Sequence, residues 1–336
     1  MTLGGRLTDI AGIRVGHAAR RSRGWRTGTT VVLLPTGATA GVDVRGGGPG
    51  TRETDLLSPL STIDTAHAIC LTGGSAYGLA AAQGVMHVLE QRRVGYSVGP
   101  DSRAVVPLVP AAVVFDLGRG GVFGNRPDES FGRRATRSAR TGALSQGSVG
   151  AGTGARSRGL QGGVGTASET LPDGTVVAAL AVVNSAGSVI DPSTALPWET
   201  GSVRLRRPPA TQRDVLRQFL DQAVPALNTT IGVVATDAHL TKAQCSKFAA
   251  VAHDGLARAI RPVHSLLDGD TIFGVATNAR DLPDDGRVRT ARLNAVLEAG
   301  ARCFAVACTN AIVHATRVGA LGDPAYRDLC PDAFPR

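Results

Sequence analysis

Apolar residues in this chain fall into short unbroken runs and longer periodic stretches. The unbroken runs are Thr29 to Leu34, Ala68 to Thr72, Thr175 to Val183, Ile231 to Asp237, Thr271 to Val275 and Cys303 to Cys308. Each is too short for a typical helix, so all six read as strands, the longest covered on both faces. The first is expected to stop at Pro35 and Gly37. The periodic stretches predict helices. One starts at Ser75, read as its N-cap, with Leu79, Ala82, Met86 and Leu89 on one face. A second carries Val215, Leu216, Phe219, Leu220 and Val224. A third opens at Thr241 with Gln244 three residues on, a capping-box pattern, and turns Phe248, Val251, Ala252, Leu256 and Ile260 inward. A fourth, with Leu293, Val296 and Leu297, is expected to stop at Gly300. From Gly118 to Gly165 the chain is rich in Gly and Arg, with a surface helix expected near Arg133 and a site-lining stretch at Gly150 to Gly154. No repeat and no interdomain linker interrupts the pattern. Residues 1–336 are therefore read as one α/β domain in which sheets lie between helix layers.

Polar groups at the ends of these strands are the candidate chemistry: Asn184, Thr229, the pair Asp268 and Asp270 and, with less support, Asn310. Asn228-Thr229-Thr230 runs straight into the strand at Ile231, so a hydroxyl sits where a rigid element begins. By itself the triplet is also a common turn, and two aspartates before a strand are commonly a solvated corner. A threonine hydroxyl is a poor nucleophile without a base, and no histidine is clearly placed to serve one. An amino-terminal threonine carries its own base, an α-amine of pKa about 8. The expectation is thus self-cleavage between Asn228 and Thr229, giving chains 1–228 and 229–336. Asn184 would donate to the oxyanion, and the aspartates would orient the amine. Ser75 follows a strand in Gly73-Gly74-Ser75-Ala76-Tyr77-Gly78, but Tyr77 stands where a nucleophile elbow needs glycine. The glycines of Gly41 to Thr54 lack a phosphate-loop lysine and read as a loop of close backbone approach.

Composition changes this picture little. A chain that is 43% hydrophobic and 19% charged can bury a core. The net charge of +9 is concentrated in Arg20, Arg21, Arg23 and Arg26 and in Arg133, Arg134, Arg137 and Arg140. Those clusters read as solvated loops, so no nucleic-acid partner is expected. Five cysteines without a CxxC pair read as reduced core thiols, and the histidines lack metal-ligand spacing. No metal and no cofactor is expected. Met1 to Leu7 lacks the apolar core of a signal peptide, and no run reads as a membrane span. A cytoplasmic protein without a membrane partner is the expectation.

The same motifs resemble the self-processing aminopeptidases of the DmpA type, which include β-aminopeptidases and the nylon-oligomer hydrolase. The resemblance runs through Thr8 to His17, Pro49 to Asp55, Gly163 to Ser168, Asn184, Asn228 to Thr230 and Asp268 to Asp270. It implies a four-layer αββα sandwich of the amino-terminal-nucleophile type, with α and β chains that stay associated in homo-oligomers. It implies Thr229 as nucleophile, Asn184 in the catalytic centre, and Asp268 and Asp270 as the acidic pair. Small peptides, amides or esters are the implied substrates. Two departures stand out: Gln161 replaces a family lysine, and Phe115 corresponds loosely to a tyrosine of the substrate pocket. An acyltransferase resembling ornithine acetyltransferase is an alternative, as is a non-catalytic scaffold or polyanion binder.

Overall fold

The computed structural model describes residues 4–101, 103–223, 227–320 and 322–335. Val224 and the first three residues, which entered the sequence reading, lie outside them. Nine strands form one sheet: β1 (Arg14–Arg20), β2 (Thr27–Val44), β3 (Thr51–Arg52), β4 (Thr65–Thr72), β5 (Ala111–Val113), β6 (Gly163–Thr170), β7 (Val176–Val183), β8 (Ile231–Ala238) and β9 (Thr271–Arg280). Their order is β6-β7-β8-β9-β2-β4-β5-β3, with β1 paired to β2. The main helices are α1 (Ser75–Gly78), α2 (Ala80–Gln91), α3 (Glu129–Ser138), α4 (Ala210–Asp221), α5 (Lys242–Ala259) and α6 (Gly286–Val313).

The expected αββα layering follows from which faces are buried together. Strand β2 is 18 residues long and serves two halves of the sheet. Its first half pairs with β1 and β4, its second with β9. A middle core joins Val32, Leu34, Ile69 and Leu71 from one half to Leu180, Val182, Val233 and Phe273 from the other. The opposite faces are covered by helices. Phe131 and Ala135 of α3 and Val85 and Leu89 of α2 pack on Val31, Leu33 and Cys70. Phe248 and Leu256 of α5 and Phe304 and Ala307 of α6 pack on Ala179, Ala181 and Val234. Burying apolar side chains on both faces of the sheet is the main stabilising term of such a fold.

Four sequence expectations are corrected. Strand β2 does not stop at Pro35 and Gly37; a register shift against β4 between Leu33 and Ala38 absorbs them. Gly300 does not end a helix, and Cys303 to Cys308 is not a strand; both lie inside α6, which runs unbroken from Gly286 to Val313. The glycine is there for packing, since a Cβ on it would come within 2.3 Å of the Phe248 ring. By length and composition α6 could cross a membrane, but 89% of its apolar window is buried inside the protein, and it is the core helix. Ser75 is not an N-cap: that position is Gly74, at φ 87°, and Ser75 itself begins α1 at φ 51°. The capping box at Thr241 and Gln244 is formed as expected.

Candidate active site

Strand register brings the polar strand ends together. β8 pairs antiparallel with β7 (Val182 opposite Ile231) and parallel with β9 (Ile231 opposite Thr271). The residues just before β8 therefore lie between the end of β7, at Asn184, and the segment before β9, at Asp268 to Asp270. The chain leaving β2 completes the frame, with Arg45 N–H donating to Asp270 O at 3.0 Å and Gly48 N–H to Asp268 O at 2.8 Å.

Thr229 sits in this frame almost fully buried, 5% exposed. Its N–H donates to Asn184 O at 2.5 Å, and Asn228 N–H donates to Leu267 O at 3.1 Å. Its hydroxyl donates to Asn228 O, the carbonyl of the peptide bond expected to break. Gly269 borders that hydroxyl closely: a Cβ on it would lie 2.9 Å from Thr229 Oγ1 and 2.6 Å from Gly48 O. Among the described residues no histidine or carboxylate hydrogen-bonds Thr229 Oγ1.

The Asn184 side chain is oriented by its donors. Arg119 Nη1 and the Arg156 N–H, the latter at 3.0 Å, both donate to Asn184 Oδ1. Those donors fix the amide so that Nδ2 is the remaining group, and among the described residues it is buried without a partner. A buried N–H with nothing to donate to is costly unless something else occupies the acceptor position.

Both aspartates hold backbone. Asp270 Oδ1 accepts from Thr230 N–H at 2.7 Å, and Asp268 Oδ1 accepts from Ala186 N–H at 3.3 Å. They thus tie down the residues following Thr229 and Asn184. Asp268 Oδ2 accepts from the Ser265 hydroxyl at 2.5 Å. Burial raises the Asp268 pKa, the Ser265 hydrogen bond opposes that, and the Asp270 charge raises it further. Asp270 Oδ2 faces a group the sequence reading passed over: His264 Nδ1 lies 2.8 Å away, and His264 N–H donates to the same oxygen at 3.2 Å. The His264 ring meets the His253 ring edge-on at 4.9 Å between centroids. His253 has its pKa lowered to about 4, chiefly by burial.

Thr229 opens on a cavity of about 130 Å³ whose lining includes Phe115, Val113, Leu227, Leu267, Pro49 and Ser75. Phe115 thus reaches the expected pocket. Gln161 does not line it. That side chain is fully buried and donates from Nε2 to four carbonyls, among them Gly162 O at 3.0 Å and Ala155 O at 3.1 Å. Its Oε1 accepts from Arg26 at 2.7 Å; Arg26 also pairs with Asp323, which accepts from Arg156 Nε at 2.6 Å. Asn310 is remote in role, joining α6 to Thr166 O and Ser202 N–H.

Comparison with known proteins bears on the family and the fold. The profile of peptidase family S58 matches residues 5–324. The chain is 49% identical over 346 residues to an uncharacterized aminopeptidase of Mycobacterium bovis, covering 98% of each. It is 34% identical over 292 residues to a 6-aminohexanoate-oligomer endohydrolase of Paenarthrobacter ureafaciens, covering 82% of this chain and 76% of that one. A β-aminopeptidase of Burkholderia sp. superposes with a TM-score of 0.73 at 24% identity, covering 98% of this chain and 93% of that one. The L-aminopeptidase D-Ala-esterase/amidase of Ochrobactrum anthropi, described as a variant of the amino-terminal-nucleophile hydrolase fold, superposes at 0.75 with 20% identity and the same coverages. At such identities the structural matches establish the shared fold.

Proposed function

The chain belongs to peptidase family S58 and is an aminopeptidase-like hydrolase, and from that premise we propose that it cuts its own Asn228–Thr229 bond and then uses Thr229 as an amino-terminal nucleophile on small amide substrates. The observation that carries this reading is the hydrogen bond from the Thr229 hydroxyl to the carbonyl of its own preceding peptide, inside a frame locked by strand register. In the first stage Oγ1 attacks the Asn228 carbonyl carbon, the C–N bond breaks, and an ester with a free amine results. Water hydrolyses the ester, releasing the Asn228 carboxylate. The new amine lies where the Thr229 N–H now meets Asn184 O. With a pKa of about 8 in the unperturbed state it is able to take the hydroxyl proton in each later turnover. The free Nδ2 of Asn184 is the donor suited to the tetrahedral oxyanion.

In this reading Asp268 and Asp270 act by holding backbone in place around the nucleophile. The small, mostly apolar cavity favours short substrates over long peptides. One relative is named for its action on 6-aminohexanoate oligomers, which are amides. The two chains would stay together after cleavage. β8 and β9 of the second chain pair with β7 and β2 of the first, so separation breaks two ladders inside the sheet. Intact-mass measurement of purified protein tests the proposal. Two chains of 228 and 108 residues (336 − 228) are expected, and Thr229→Ala should leave one. Cleavage of the alanine variant at the same bond overturns it.

A further inference from the structure

In the arginine cluster at Arg20 to Arg26, which reads from sequence as a solvated loop, Arg20, Arg21 and Arg23 are exposed as expected, but Arg26 is buried. Arg23 and Gly24 both take left-handed φ values, 51° and 81°, and Trp25 N–H closes the turn on Ser22 O at 3.1 Å. The turn lies against the loop carrying Arg119, around a cavity of about 460 Å³. Its lining includes Arg21, Arg23, Arg26, Arg119 and Trp25 and, among the described residues, no carboxylate. Of the carboxylates behind it, Asp323 is engaged, whereas Asp116 keeps Oδ2 buried with no hydrogen-bond partner among the described residues. Asp323 is shared by Arg26 and Arg156, and Asp116 accepts from Gly74 N–H at 2.7 Å. Four guanidiniums (Arg21, Arg23, Arg26 and Arg119) line the cavity, Arg21 Nη2 donating to Ser148 O at 2.6 Å, and Arg156 joins Arg26 on Asp323 behind it.

The guanidiniums also have unused donors. Arg26 is 3% exposed, yet among the described residues its Nε and Nη1 have no hydrogen-bond partner. Arg119 spends only Nη1 on protein acceptors, Gly154 O at 2.8 Å and Asn184 Oδ1. Burial first, and then the Arg156 charge, lower the Arg119 pKa to about 9. A desolvated cation with idle donors is unfavourable unless an anion completes it, and the guanidinium fork matches a carboxylate or phosphate in two-point contact. An open cavity of this size fits a small molecule.

We infer that this cavity binds a small molecule bearing a carboxylate or phosphate group, and that Arg119 couples its occupancy to Asn184. Full-length protein titrated calorimetrically with inorganic phosphate and with citrate, at ionic strength fixed by sodium chloride, should show saturable binding of at least one of them at one site per chain. Arg21→Ala and Arg23→Ala change exposed side chains, so they should fold, as circular dichroism will check. Each should weaken binding on the order of tenfold, the value of one charge-assisted hydrogen bond. The exposed Arg217→Ala serves as the control and should bind as wild type. No saturable binding of either anion, or equal affinity in the Arg21 and Arg23 variants, overturns the site. Self-association that disappears in Arg23→Ala without anion binding assigns the arginines to a second copy and also overturns it. This arm is independent of which residue is the nucleophile. For the coupling, saturating anion should change turnover of a small amide at least about twofold in wild type and not in Arg23→Ala; unchanged wild-type turnover overturns the coupling.

Discussion

Gly269→Ala probes the frame around the nucleophile with a single methyl group. Gly269 does not occupy the left-handed region, so alanine brings no backbone strain there. What it brings is contact. The new Cβ would lie 2.6 Å from Gly48 O, 2.9 Å from Thr229 Oγ1 and 3.0 Å from Pro49 Cα. Two of those three atoms are backbone of a loop pinned by Gly48 N–H on Asp268 O, and the third is the hydroxyl itself. Relief requires a shift of several tenths of an ångström, and overpacking of this kind typically costs about 1–3 kcal/mol. A misplacement approaching 1 Å at reacting atoms costs about a hundredfold in rate. Self-cleavage of Gly269→Ala should therefore slow by about 10- to 100-fold while the protein stays folded. The assay is a time course of intact mass after purification at low temperature, with circular dichroism alongside. Gly286→Ala, where a Cβ meets nothing within 4 Å, is the control and should cleave as wild type. Cleavage of Gly269→Ala at the wild-type rate would mean that the gap beside Thr229 Oγ1 is not a requirement of the reaction.

Three further outcomes follow. Asn184→Ala, tested on protein already cleaved, should lower turnover by about a hundred- to a thousandfold, the usual cost of one oxyanion donor; wild-type turnover would leave Asn184 a purely structural amide. His264→Ala removes a side-chain hydrogen bond to the buried Asp270 carboxylate and should cost about 2 kcal/mol in urea denaturation, so an unchanged midpoint and slope would count against that contact. Asp116, buried behind the arginine cavity, has its pKa raised from 3.8 to about 6, chiefly by burial. The folded protein holds that proton more tightly than the unfolded chain. Its contribution is therefore full below pH 3.8 and is lost as pH rises to about 6, a change of about 3 kcal/mol at about 1.4 kcal/mol per unit. The stability difference between wild type and Asp116→Asn should show that slope between pH 4 and about 6, and a flat difference refutes it.

The layered fold and the grouping of the candidate residues were legible because each depends on a short, self-contained signal. The run Ile231 to Asp237 could be little but a buried strand, and Asn228-Thr229 at its head gave the proposed nucleophile a place. The parallel partner at Thr271 then put Asp268 and Asp270 beside it. Misreadings arose where one residue type serves two purposes. Gly300 has the signature of a helix end, but its missing Cβ lets α6 close on Phe248. Pro35 and Gly37 read as a strand stop, yet β2 continues because the irregularity falls at a register shift, where a missing ladder hydrogen bond does little harm.

Harder to read were the residues that act on the site through another group. His264 follows no period and no motif, and only the fold shows it bonded to Asp270. The direction of the Asn184 amide is likewise absent from its local sequence. It depends on Arg119 and Arg156, from a Gly- and Arg-rich stretch whose charges suggested solvent-facing loops. Yet a buried arginine cannot be a bystander: its donors need acceptors, and Arg119 takes Asn184 Oδ1 for one of them. That forces Nδ2 to face the other way. The excess of arginine over carboxylate in this part of the chain is thus tied to the direction of the proposed oxyanion donor. A change of charge in the cavity behind Arg119 should therefore be felt at Thr229 even though no cavity arginine hydrogen-bonds that residue.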